Sequence, residues 1–411
     1  MSRYEQDIAF IPREIYTISM CYNTHSGLAP PPPGPAGGLT CPPNLVSAGP
    51  STSAEGVAGV HSLFIGGPGT RYDDVMPSSP RLLIVSPSFH GYWQAYEGAF
   101  RRLGHPTRTL RYDELGGVLA RLGHKARVEL VDRLGGDGRA RWARQVSARA
   151  ARAVRSSRPE RVLVIRGDVL QEDFWEAVAD VGARPVTLVY DEIERMSTSY
   201  EAIMAHGPVA SYSAHDTAAL AARGAHVVHV RDGYDSHLPY RPRSSDEVVF
   251  IGANYGQRGA LLAHLDRSGV AVRAYGRSFS HHPVDLARTW LARRPPVPSH
   301  RDVPRQVAYG IQAGAVASLN IHDRQDGFTM RTYEIPGVGG LELIDRDDVA
   351  DLYEPGREVL VFHSPEELVD LCRRAATDTA WAQGVREAGR RRTLAEHTID
   401  HRAAELEALW A

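Results

Sequence analysis

LNIHDRQDGFTMRTYEIPGVGG, from Leu319 to Gly340, is the stretch on which the reading of this chain turns. It starts at the end of an apolar run, Ala313 to Ile321, of the kind that forms a strand buried on both faces of a parallel sheet. A polar loop containing Gly327 follows at once. From Phe328 the spacing turns helical, and Pro336 with Gly337, Gly339 and Gly340 stops the helix within about two turns. A strand, a loop and a short helix N-terminus make a ready anion site, because free backbone N–H groups and the helix dipole both favour a phosphate. Asp326 and Glu334 stand eight positions apart on this platform, about 800° of helical rotation, so the two carboxylates fall on roughly one face. One can lie beside the phosphate end of a ligand and the other further along it. Glu334 and Glu342 form a second pair of the same spacing, but Glu342 follows the glycine stop and falls in the next apolar run, Leu341 to Ile344.

The wording Asp326-Gly-Phe-Thr-Met-Arg-Thr-Tyr-Glu334, followed by Gly339-Gly340, resembles the acidic-x7-Glu motif of GT-B glycosyltransferases that use nucleotide-sugar donors. Ser318-Leu-Asn-Ile-His322 and Arg331-Thr-Tyr-Glu-Ile-Pro are similar to the CgeB-like, spore-maturation branch of those enzymes. The resemblance implies that Asp326 meets the donor sugar and Glu334 the ribose hydroxyls, with the helix start between them holding the diphosphate. Asn320, Gly327, Phe328, Thr329 and Arg331 complete the donor-binding stretch. The motif usually opens with Glu, and Asp326 has the shorter reach.

Outward from this centre, 411 residues exceed what one core usually holds, so two domains are expected. The chain is 43% hydrophobic and 23% charged with a net charge of −2, which argues against a nucleic-acid or anionic-membrane partner. Lys125 is the single lysine among 47 basic residues, so a phosphate clamp must use arginine or backbone N–H. Cys21, Cys41 and Cys372 are far apart and lack metal-ligand spacing, which reads as free thiols in a reducing compartment. No apolar run reaches the ~18 residues of a membrane span, and the opening does not resemble a signal peptide; a cytoplasmic protein is expected. Residues 1–59 read as a disordered Pro/Gly-rich extension, with four prolines at Pro30 to Pro33. His61 to Thr70 reads as a short strand and a plain Gly66-Gly-Pro-Gly69 turn, without the spacing of a dinucleotide loop.

Residues 60–238 read as a Rossmann-like domain on the acceptor side. Arg81 to Ser86, the helix Tyr92 to Leu103 and Thr107 to Tyr112 give a β-loop-α-β opening. Two long Arg/Ala-rich helical segments ending near Ser156 follow, and the alternation then resumes with strands at Arg161 to Ile165, Pro185 to Tyr190, Val209 to Tyr212 and His226 to Val230. Ligands collect at the carboxyl ends of such strands, which places His90, Asp191 and Asp235 near one rim. Neutral His90 can take a proton from an acceptor hydroxyl. Asp191 and Glu192 occupy a place similar to the acidic pair on the acceptor side of the CgeB-like enzymes.

Arg241 to Asp246 is a polar hinge, and residues 247–399 begin a second Rossmann-like unit, with Val248 to Gly252, the helix Gly259 to Leu265 and Val270 to Tyr275 ending at Arg277. The resemblance puts Arg258 on the donor diphosphate, in the role usually held by lysine, with Arg277 and Arg331 nearby. Ser364 with Glu367 forms a capping box that starts a helix, and residues 400–411 form a last helix that in GT-B folds returns to the first domain. The paired His281-His282 shows no ligand periodicity, so no metal and no cofactor are expected, the nucleotide-diphosphate sugar being a co-substrate.

The expected fold is therefore α/β, two doubly wound domains facing across a cleft. The expected activity is metal-independent transfer of a sugar, with retention, from a nucleotide-sugar to a hydroxyl or amine of a small molecule or glycan, in specialised-metabolite or surface-glycan synthesis. Two other readings stand beside it: a non-catalytic nucleotide-sugar-binding or spore-layer protein of the same fold, and a nucleotide-sugar 2-epimerase.

Overall fold

The computed structural model describes residues 81–411 apart from 115–123, 125, 126, 129, 290–292, 323 and 324. The expected Pro/Gly-rich extension at 1–59 and the strand and glycine turn at 61–70 lie outside the described residues.

Two wholly parallel sheets carry the fold. The first contains β1 (Leu82–Ser86), β2 (Thr107–Arg111), β3 (Arg161–Ile165), β4 (Arg184–Val189), β5 (Val209–Ser211) and β6 (Val227–His229), in the order β2-β1-β3-β4-β5-β6. The second contains β7 (Val248–Ile251), β8 (Val272–Tyr275), β9 (Ser299–His300), β10 (Ala317–Asn320), β11 (Glu342–Ile344) and β12 (Leu360–Val361), in the order β12-β11-β10-β7-β8-β9. The central strands are apolar runs because both faces are covered: β1 is buried throughout its length, as are β7 and β10. Strand order reverses between β1 and β3 in one sheet and between β7 and β10 in the other. Ligands bind in doubly wound sheets at such switch points, beyond the carboxyl ends of the strands. The loops after β1, β7 and β10 thus border the place where a ligand would bind.

The last helix, Ile399–Glu407, leaves the second sheet and packs on the first. Ile399, Ala403, Leu406 and Trp410 share a core with Leu82, Ile84, Tyr96 and Phe100. The Trp410 indole N–H donates to the Arg184 carbonyl at 2.8 Å, and its ring meets Phe100 edge-on with centroids 6.0 Å apart. Met330, at the start of the central motif's helix, joins the same core, so this cluster draws on both halves of the chain.

Two local expectations need correction. The run Ala313 to Ile321 is not one strand: Ala313 and Gly314 end the helix Arg305–Gly314, and only Ala317–Asn320 is extended. Gly310 and Gly314 explain why, since a Cβ would lie 2.2 Å from the Arg241 carbonyl and 2.1 Å from that of Arg243; both glycines let the 241–245 segment run along the helix. Arg243 N–H donates to Gly310 O at 2.8 Å and Ser245 N–H to Gly314 O at 2.9 Å, fastening that segment. The central helix spans Met330–Gly337, with Pro336 in its last turn, so it ends within about two turns at the proline and glycines, as expected. The Arg/Ala-rich region has one long helix, Gly138–Ser157, and a single-turn one, Leu130–Arg133, among the described residues. No helix among the described residues is long and apolar enough to cross a membrane.

Candidate functional site

The loop from β10 to the Met330–Gly337 helix is held from beneath by His322. That residue is fully buried, its backbone N–H donates to both Asp345 carboxylate oxygens at 2.9 and 3.1 Å, and burial lowers the imidazole pKa so that the ring is neutral. Its Nε2 accepts from the Thr329 N–H at 3.4 Å. Thr329 is the N-cap residue but makes no side-chain cap bond, so the imidazole faces the helix N-terminus from below. Phe328 meets the His322 ring edge-on, and the Arg346 guanidinium lies 4.0 Å from the Phe328 ring centre. Gly327 is required where it stands, because a Cβ would come 2.4 Å from the Tyr212 ring of the first sheet.

Glu334 is fully buried one turn into this helix. Arg331 Nη1 donates to its Oε2, and the Tyr92 hydroxyl, from the other sheet's first helix, donates to Oε1 at 2.5 Å. Arg331 Nε also reaches the Ile251 carbonyl at 3.3 Å, joining the ends of β7 and β10. The Arg305 guanidinium lies 4.5 Å from the Tyr92 ring centre and pairs with Asp235 at 2.7 Å.

His90 sits in the turn after β1 with φ 42°, a left-handed conformation uncommon outside glycine. Burial pulls its pKa down to about 4; Asp302 opposes this, while Arg331 and Arg277 reinforce it. Arg277, at the end of β8, pairs with Asp302 at 3.1 Å. The structure therefore gathers His90, Arg277, Arg331 and Glu334 at one seam between the sheets, together with Tyr92, Asp302 and Arg305.

Asp326 is engaged otherwise. Its carboxylate accepts from Ser213 Oγ at 2.6 Å and from the His215 N–H at 3.1 Å, and so caps the first-sheet helix Ala214–Ala222 from across the seam. Its own N–H donates to Glu192 Oε1 at 3.0 Å. Asp191 lies beside Arg166, 3.7 Å away; burial pushes its carboxyl up to about 6, the guanidinium opposing and Glu192 adding to the rise. Asp326, Asp191 and Glu192 thus share a second stretch of the seam.

Two candidates are spent inside the second sheet. Buried Arg258 donates through Nε to the Ile321 carbonyl at 2.8 Å and through Nη1 to the Ala253 carbonyl at 3.1 Å, with the Tyr255 ring centre 3.6 Å away. It braces the loops after β7 and β10 against each other. Asn320 donates to Thr332 Oγ1 at 2.9 Å and to Glu342 Oε1 at 2.7 Å. Burial pushes the Glu342 carboxyl well above its usual range, the Asn320 hydrogen bond opposing, and Glu342 lies in the core, not at the seam. Among the described residues no cluster of three or more His, Cys, Asp or Glu side chains is arranged to hold a metal.

Tyr92, Asp302, Arg305 and Ser213 were not apparent from the sequence. Tyr92 lies two positions beyond His90, which is the one signal that could have drawn attention to it. A small, mainly apolar recess adjoins it at the ends of β1 and β3, lined by Pro87, Trp93, Tyr96, Ile165, Tyr190 and Met330 among others.

Residues 258–408 match the family model described as glycosyl transferase-like. Among solved structures, the sucrose-phosphate synthase of Thermosynechococcus elongatus aligns with a TM-score of 0.52 at 12% identity, covering 80% of this chain and 98% of that one. The Anabaena protein HepE, solved in complex with UDP-glucose, aligns with a TM-score of 0.52 at 11% identity, covering 80% and 99%. No curated protein sequence matches the chain. The chain has the GT-B fold, two Rossmann-like sheets facing across a seam, and its second half carries a glycosyl transferase-like sequence signature.

Proposed function

We propose that this protein is a glycosyltransferase of the CgeB-like kind, moving a sugar from a nucleotide-diphosphate donor to a hydroxyl or amine of an acceptor, without a metal and with retention at the anomeric carbon. The observation that carries the reading is the meeting of Glu334 and Arg331, from the glycosyl transferase-like half, with His90 and Tyr92 at the carboxyl end of the other sheet's switch strand. In this reading Glu334 takes the ribose hydroxyls. Arg331 and Arg277 face the diphosphate, and arginines fixed in advance in a dry site stabilise the charge that builds on a leaving diphosphate. Arg258 keeps the two loops of the platform in register, and Asp326 swings from its cap on the Ala214–Ala222 helix to the donor sugar.

In the reaction the bond between the anomeric carbon and the phosphate oxygen breaks, and its electron pair stays on the diphosphate. The acceptor oxygen or nitrogen bonds the same face of the sugar. Its proton passes to His90, which is neutral at pH 7 because burial has lowered its pKa, and then to the departing diphosphate, the stronger base. Asp191, Glu192 and the apolar recess beside Tyr92 line the acceptor side. The donor enters when the Tyr92–Glu334 and Ser213–Asp326 contacts part, and transfer follows when the seam closes again.

Incubation with UDP-, GDP- and dTDP-sugars, alone and with candidate acceptors, followed by mass spectrometry, tests this reading. It predicts acceptor mass raised by one sugar residue, or slow release of free sugar where water is the acceptor. Donor that binds and is never consumed, or a changed sugar nucleotide formed with no acceptor present, would overturn it.

A further inference from the structure

Arg305 belongs to no motif in the sequence and sits at the start of the Arg305–Gly314 helix, at the seam. Its side chain is only 4% exposed. Nη2 is satisfied, by Asp235 at 2.7 Å and by the Gly91 carbonyl at 3.3 Å. Nε and Nη1, which carry three of the five N–H donors of a guanidinium, are buried without a hydrogen-bond partner. The guanidinium cannot shed its charge, so unmatched donors in such a place favour an anionic oxygen that would match them. One turn along the same helix face, the buried Tyr309 hydroxyl is also unmatched.

What lies between Arg305 and Glu334 is the Tyr92 side chain. Arg305 is 4.5 Å from its ring centre, and its hydroxyl is on Glu334 at 2.5 Å. The separation of the two charged groups is thus one phenol ring and its hydrogen bond, a span comparable to that from the ribose hydroxyls of a nucleotide to its first phosphate. Arg277 and Arg331 each pair with a carboxylate too, of Asp302 and Glu334, as Arg305 does with Asp235.

We propose that Arg305 is a phosphate ligand of the bound nucleotide, placed opposite Glu334 so that one takes the phosphate and the other the ribose hydroxyls, with the Tyr92 phenol standing in for the ribose in this structure. This rests on the nucleotide-sugar reading above. Asp235 and the Gly91 carbonyl then serve to hold Nη2 so that Nε and Nη1 point along the seam.

The test is calorimetric titration of UDP, GDP and dTDP, each beside its own nucleoside, into the full chain as wild type, Arg305→Lys and Arg305→Gln, with melting temperatures as a check on folding. For the diphosphate that wild type binds, the expected result is an affinity lower by about tenfold or more in both variants, while nucleoside affinity stays the same. Arg305→Lys keeps the charge beside Asp235 and decides the matter if Arg305→Gln does not fold. Equal diphosphate affinity in wild type and Arg305→Lys, or nucleoside and diphosphate affinities falling together, would overturn the assignment while leaving the nucleotide-sugar reading intact. No binding of any of the three diphosphates by wild type would overturn both.

Discussion

Replacing Tyr92 by Phe isolates one hydrogen bond at the seam. The ring is kept, and with it the contact 4.5 Å from the Arg305 guanidinium; what goes is the hydroxyl that donates to Glu334 Oε1 at 2.5 Å. A hydrogen bond to a charged group is worth about 1.5–3 kcal/mol. If the donor ribose must take this same oxygen, wild type gives up that bond on binding and the variant does not. The apparent donor affinity of Tyr92→Phe should therefore rise by roughly tenfold to a hundredfold, at about 1.4 kcal/mol per decade. The upper end holds if Glu334 Oε1 stays dry in the empty variant, and the lower end if water reaches it. Calorimetry with UDP, GDP and dTDP reads this directly. Unchanged affinity would refute the idea that Tyr92 occupies the ribose position, and weaker binding would show that its hydroxyl touches the nucleotide.

Three further outcomes are expected. Glu334→Gln should weaken binding of both nucleoside diphosphate and nucleoside by roughly tenfold to a hundredfold, because an amide offers one good acceptor in place of a carboxylate, while a sugar 1-phosphate, which lacks the ribose, binds as before; equal loss for all three would point to a structural role. Asp326→Asn weakens a cross-seam helix cap typically worth about 1 kcal/mol, so the empty protein should populate more open forms, seen as a larger radius of gyration in X-ray scattering and reproduced by Ser213→Ala; an unchanged radius in both would count against the latch. In urea denaturation, His90, lowered from 6.5 to about 4, makes stability rise with pH across that window because the unfolded chain binds the extra proton, whereas Asp191, raised from 3.8 to about 6, makes stability fall with pH between those values. Asp191→Asn removes the falling contribution, so its stability should climb more steeply than wild type between about pH 4.5 and 6, and parallel slopes would contradict the buried, proton-holding state of Asp191.

Both sheets were legible in the sequence because a strand covered on both faces is an uninterrupted apolar run, as in Leu82–Ser86 and Val248–Ile251, and because glycine and polar turns punctuate those runs. The central motif was legible for a similar reason: its strand, loop, helix start and two acids are local. Where local patterns misled, a close approach from elsewhere was responsible. Ala313 and Gly314 read as strand, yet the helix continues through them because the 241–245 segment presses on Gly310 and Gly314. That two sheets face each other was legible, but which side chains meet at the seam was not. The Tyr92 and Glu334 side chains meet across 242 residues of chain and Ser213 and Asp326 across 113, and no pattern within one element records such a meeting. Nor does spacing tell that Arg258 and Asn320 turn their donors inward, to the Ile321 carbonyl and to Glu342.

The central claim, that Glu334 and its neighbours serve sugar transfer, is tested most directly by following the anomeric proton of the nucleotide-sugar in real time by NMR with wild type and Glu334→Gln side by side. The account predicts that wild type replaces the donor signal by that of a product with the same anomeric configuration at its formation, with one nucleoside diphosphate released per sugar, and that Glu334→Gln is slower by roughly tenfold or more at donor concentrations below saturation. A donor signal that persists with every nucleotide-sugar, or equal rates for the two proteins, would contradict it.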